Sequence, residues 1–159
     1  MTLRKDLLRS FVYLLKRNGL IQTESLREDS NEGFSNRLKL QKYVFIVRHF
    51  GLDMNYSFSL YLHGPYSPEL AKDYYSLDLA ETTAVPLPKE FKADEFLSLV
   101  KGKDERWLEA VATAMDLAKD WGIKDNKECK MLADHIKLMK PHVADYADDA
   151  VNYALVILR

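Results

Sequence analysis

Cysteine is nearly missing from this chain: Cys129 is the only one in 159 residues. A lone cysteine closes no intramolecular disulfide, which excludes the disulfide-stapled class of small secreted domains and fits a reducing cytoplasm. Long apolar runs are also lacking, with nothing near the ~20 residues that a membrane span needs. Arg4, Lys5, Asp6 and Arg9 interrupt the first stretch, so it does not read as a signal peptide, and a cytoplasmic location is expected. Net charge is missing too. The 23 Lys and Arg offset 24 Asp and Glu to leave −1, so bulk charge does not favour nucleic acid. The six glycines are isolated and mostly stand where helices stop, which excludes a glycine-rich phosphate loop. No serine sits in a nucleophile-elbow pattern, and Cys129 and His135 are six apart, on different faces of one helix. A catalytic constellation is absent from the pattern, and no cofactor is expected.

What is present is helical periodicity and an uneven charge distribution. Residues 1–50 carry ten Lys and Arg against five Asp and Glu, whereas residues 51–100 carry three against eight. Leu3, Leu7, Leu8, Phe11, Leu14 and Leu15 recur at helical spacing, predicting a helix over 3–18 that stops at Gly19. Residues 22–34 are polar and aperiodic and read as a surface loop. Ser35 or Asn36 is expected to cap the next helix, which ends at Gly51. Its residues Leu40, Tyr43, Val44 and Val47 form one apolar stripe, and Leu38 and Phe45 lie on another side, so this helix should be packed on two sides.

Phe58, Leu60 and Leu62 alternate with Ser57, Ser59 and Tyr61, the period of a half-buried strand. Its expected antiparallel partner is 82–87, with Pro86 confining that strand to an edge. His63-Gly64-Pro65-Tyr66 must turn. Ser67 then serves as an N-cap, Pro68 sits at the first helical position, and Glu69 complements the helix dipole, for a helix running to Leu77. Beyond a linker over 78–90 the chain is helical throughout. Short and long helices are expected at 93–101 and from Asp104, with a capping box at Asp125 and Glu128 and a last helix opened or kinked by Pro141. The expected fold is mainly α with one short β-hairpin (α+β), in a single domain over 1–159. Within it, 1–91 bear the motifs and 92–159 form a helical C-terminal part.

Two surfaces are candidates for function. The first is the segment His63, Gly64, Pro65, Tyr66, Ser67, Pro68 and Glu69, read either as a rigid loop displayed to a partner protein or as a plain strand-to-helix corner. The second is the basic helix, where Arg37, Lys39, Lys42 and Arg48 could meet phosphates or simply form its wet side. His142, Asp145 and Asp149 fall at i, i+3, i+7 in a pattern that suits a divalent ion. They also suit the solvated face of the last helix, and no metal site is expected from them.

The order Lys39-Leu40-Gln41-Lys42, a strand ending Tyr61-Leu62-His63-Gly64-Pro65, then Tyr66-Ser67-Pro68-Glu69 opening a helix, resembles the Panacea family of SocA-like, antitoxin-associated domains and its YwgA-type relatives. The resemblance covers residues 36–77. The chain departs from the family at Tyr61, where tryptophan is usual, and at Tyr66, where a small aliphatic residue is usual. The resemblance implies a winged-helix-like helical domain that binds another protein, neutralising a toxin or delivering a partner to a protease. The expected function is thus a non-enzymatic protein-interaction module acting through the HGPYSPE turn. A DNA-binding regulator of winged-helix type is the alternative.

Overall fold

The computed structural model describes residues 3–80 and 85–159. Among them are seven α-helices and one two-stranded antiparallel sheet, a mainly helical α+β fold. No helix among the described residues is long and apolar enough to cross a membrane. The chain divides into two compact units: 1–58 with 67–101, and 59–66 with 102–159. The fourth helix stays with the first unit, and the hairpin belongs to the second.

The first unit holds α1 (Leu3–Arg17), α2 (Asn31–Val47), a 3-10 turn (Arg48–Phe50), α3 (Pro68–Ser76) and α4 (Ala93–Val100). Leu8, Phe11, Val12 and Leu15 make the buried stripe of α1. Phe96 of α4 is fully buried among the rings of Phe11, Phe50, Phe91 and Tyr43, at centroid distances of 5.7, 5.8, 6.3 and 6.1 Å. Residues 40–47 of α2 are all buried, as apolar residues on two sides require. Burial pushes the Tyr43 phenol well above its usual range.

Helix α2 starts earlier than its sequence predicts. Ser30 is the N-cap, its hydroxyl accepting from the Gly33 N–H at 3.1 Å, so neither Ser35 nor Asn36 has that role. The supposed surface loop folds back on this first turn, burying Ser25 and Leu26. Gly33 permits it, since a Cβ there would lie 2.2 Å from the Glu28 carbonyl oxygen. Asn36 is buried and bonds Ser25 Oγ and the Gln22 N–H.

The second unit holds β1 (Ser59–Tyr61), β2 (Gly64–Tyr66), α5 (Glu105–Trp121), α6 (Asn126–Met139), a 3-10 segment (Pro141–Tyr146) and α7 (Ala147–Leu158). Asp104 and Asp125 cap α5 and α6 as their spacing predicts, accepting from the N–H of Trp107 and Glu128 at 2.8 Å each. Helix α7 packs most extensively on α5. Alanines on both sides, among them Ala110, Ala114, Ala150 and Ala154, are buried and allow close approach.

The hairpin differs from its expectation in partner and burial. β1 pairs with β2, in the register Ser59↔Tyr66, Leu60↔Pro65, Tyr61↔Gly64. Residues 82–84 of the expected partner lie outside the described residues, and 85–87 form no strand. The reason is local. A two-residue turn, Leu62-His63, sends the chain straight back, and Gly64 accommodates the reversal at φ +90°, a conformation other residues rarely adopt. All three residues of β1 are exposed, so the alternation of apolar residues there does not mark a buried face.

Candidate functional site

The Gly64 turn does more than reverse the chain. A Cβ on Gly64 would lie 2.9 Å from Thr113 Oγ1 and 3.4 Å from Glu109 Cγ, so only glycine lets β2 lie this close to α5. That contact carries His63, one residue earlier, to Glu109. His63 Nδ1 is 3.5 Å from Glu109 Oε1. From the other side, the 3-10 segment opened by Pro141 brings His142 Nε2 to 2.6 Å from Glu109 Oε2. Lys140, at the end of α6, places Nζ 3.2 Å from the same oxygen and donates to the Leu62 carbonyl at 2.5 Å. The two imidazoles stand at 82° with centroids 6.3 Å apart.

Burial sorts these groups by role. The side chains of Glu109 and Lys140 are only 6% and 7% exposed, whereas His63 and His142 are 38% and 45% exposed. The carboxylate and ammonium form a buried ion pair, which is costly to break because the survivor is left uncompensated, at about 3–5 kcal/mol. The two imidazoles form the wall between that pair and solvent. Arg106 braces the His142 side, donating Nε to the His142 carbonyl at 3.0 Å and pairing with Asp145. Asp145 is thereby held below the usual carboxylate range, chiefly by that Arg106 hydrogen bond. His142, Asp145 and Asp149 do not share one α-helical face, because the first two lie in the 3-10 segment and face different partners. One turn along α5 from Glu109, the Thr113 hydroxyl is fully buried without a hydrogen-bond partner among the described residues. The chain has no match among family models, curated proteins or solved structures.

The sequence-predicted HGPYSPE segment is divided by the fold. His63, Gly64, Pro65 and Tyr66 belong to the second unit, with Gly64 and Pro65 buried and His63 and Tyr66 half-buried. Ser67, Pro68 and Glu69 belong to the first. There Ser67 is fully buried; its hydroxyl caps α3 by accepting from the Leu70 N–H. Its backbone is held at both ends by the Gln41 amide: Ser67 N–H donates to Oε1 at 2.9 Å, and Nε2 donates to the Ser67 carbonyl at 3.0 Å. The Lys39-Leu40-Gln41-Lys42 run of α2 is thus tied to the start of α3 by a pair of buried hydrogen bonds. Glu69, half-exposed, accepts from the Ser57 N–H and meets Arg4 at 3.5 Å. Arg4 also holds Asp73, to which the buried Tyr56 hydroxyl donates at 2.7 Å. Burial first, and the Asp73 carboxylate second, push the Tyr56 phenol far above its usual range.

The four basic residues of α2 and its 3-10 extension do not make one wet face. Lys42 is 1% exposed. Arg37 donates to the carbonyls of Leu26 and Glu28 at 2.9 and 2.7 Å. Arg48 lies over the rings of Phe45 and Phe58 at 4.4 and 5.1 Å. Lys39 is half-buried beside a cavity of about 220 Å³ at Gly19 and Asn36.

Sequence reasoning did not single out Glu109 or Lys140. One signal was available for the first: Glu109 interrupts the run Leu108, Ala110, Val111, where a charge inside a buried stretch needs a partner. Nothing local points from it to His63 or Lys140, which are 46 and 31 residues away.

Proposed function

We propose that the chain is a non-enzymatic protein-interaction module, antitoxin-like or adaptor-like, that presents its β-hairpin to an extended segment of a partner protein. The observation that carries this reading is the run Leu60, Tyr61 and Leu62, which is 38%, 52% and 77% exposed. Three consecutive large apolar residues on an exposed strand and turn form an adhesive surface. Among the described residues, β1 pairs only with β2, so a strand of the partner can add to its edge. Tyr61 and Tyr66 stack edge to face at 5.5 Å and offer a rigid aromatic anchor of the kind enriched at interfaces. This narrows the partner surface to residues 60–63 and Tyr66, while Gly64, Pro65 and Ser67 shape the segment from within.

The test is affinity capture from host lysate with the wild-type chain and with a Tyr61→Ser/Leu62→Ser variant, with and without nuclease. The expected result is one protein in near-stoichiometric amount with the wild type, nuclease-resistant and lost with the variant. Equal capture by both would remove the hairpin as the partner surface. Recovery that disappears with nuclease would favour the DNA-binding regulator instead.

A further inference from the structure

We propose that His63, Glu109 and His142 form a binding site for a divalent transition metal of the zinc type. The inference does not depend on the partner-binding reading. Three elements distant in sequence, the hairpin turn, α5 and the 3-10 segment, each contribute one donor. The three ligating atoms all lie within 4.8 Å of one another. Two imidazole nitrogens and one carboxylate oxygen suit zinc and its first-row neighbours rather than magnesium or calcium, which take oxygen ligands.

The distances are close to what coordination asks. Metal–nitrogen and metal–oxygen bonds of about 2.0–2.2 Å at tetrahedral angles put ligand atoms roughly 3.3–3.5 Å apart. The His63–Glu109 separation of 3.5 Å, to Oε1, meets this, while His142 lies on Oε2, so a small turn of the carboxylate sets which oxygen faces both rings. The His142–Glu109 separation of 2.6 Å is a hydrogen bond that must open by about 1 Å. Both rings are half-exposed, at 38% and 45%, which leaves the mouth of the site facing solvent, where a fourth ligand can enter.

Lys140 is the outer group of this site. Its ammonium lies 3.2 Å from Glu109 Oε2, the oxygen that His142 also meets, and donates to the Leu62 carbonyl, so it holds the carboxylate in the metal-free protein. It also offsets the carboxylate charge, so the cation enters a pocket with no net negative charge. Moderate affinity follows, and so does a specific consequence: removing the Lys140 charge should tighten metal binding, even though it leaves Glu109 without its ion pair in the metal-free protein.

The experiment is calorimetric titration of the chelator-treated full chain with Zn2+, repeated with Co2+ and read by its visible absorption. One equivalent of either ion is expected, with Co2+ giving the intense bands of a low-coordinate nitrogen and oxygen site. His63→Ala and His142→Ala should each weaken binding at least about tenfold, because each removes one of only three protein ligands. His135→Ala, at a histidine that packs at 60° against Trp121 and is not one of the three ligands, should leave binding unchanged. Lys140→Met should bind Zn2+ more tightly than the wild type. No stoichiometric uptake of either ion by the wild type would overturn the proposal. So would wild-type affinity in the His63→Ala/His142→Ala double variant, which would mean that the ion sits elsewhere.

Discussion

Replacing Gln41 by leucine isolates the bond that ties the basic helix to the start of α3. Gln41 is fully buried, and its amide meets both backbone groups of Ser67, at 2.9 and 3.0 Å. Leucine is close in volume, so the change opens little cavity, and its cost is electrostatic. The Ser67 carbonyl keeps a partner, because it also accepts from the Ala71 N–H at 3.1 Å. The Ser67 N–H has no such second bond in the α3 helix, because N-terminal amides have no intrahelical acceptor. One buried donor is therefore orphaned, at about 1–3 kcal/mol. Urea denaturation followed by far-ultraviolet circular dichroism measures this as a lower midpoint at unchanged slope. Gln41→Glu should be worse: it keeps the acceptor but faces the Ser67 carbonyl with a second oxygen and a buried charge. Ser67→Ala, which removes only the cap to Leu70, should cost about 1 kcal/mol. A Gln41→Leu protein within about 0.5 kcal/mol of wild type would refute the reasoning, because that is the range of ordinary surface substitutions.

Two further outcomes follow from the geometry. Gly64→Ala should destabilise by more than about 1 kcal/mol, since alanine is strained at positive φ and its methyl would press on Thr113; equal urea midpoints for the two proteins would contradict this. Asp145 titrates below its ordinary 3.8 because Arg106 donates to it, so the pair's contribution is present above that value and is lost as pH falls through the folded midpoint. In carboxyl-detected NMR, Arg106→Gln should raise the Asp145 midpoint towards 3.8, and an unmoved midpoint would discount the pair.

Much of the fold was legible because it depends on interactions spanning a few residues. A cap needs one side chain and an N–H two or three positions on, and Ser67, Asp104 and Asp125 all fulfil that role where their spacing predicts it. The two-sided apolar pattern of α2 likewise anticipated a helix buried over 40–47. Reading failed where a local choice was settled by a neighbour. Ser30 displaces Ser35 and Asn36 as the cap because the 25–28 turn folds onto Gly33. The strand at 59–61 finds its partner three residues ahead, in the segment that read only as a turn. Lys42, basic and therefore expected at the surface, is buried by the packing around its helix.

By itself the sequence determined most of the helices, the caps of α3, α5 and α6 and the tight reversal at Gly64, because backbone sterics and hydrogen bonds of short reach are written in neighbouring residues. Only the tertiary structure decided which side chains meet. Gln41 clamps Ser67 across 26 residues, and His63, Glu109, Lys140 and His142 converge across nearly eighty. Such meetings are set by how closely helices and hairpin can approach, and that depends on the shape of every packed surface at once.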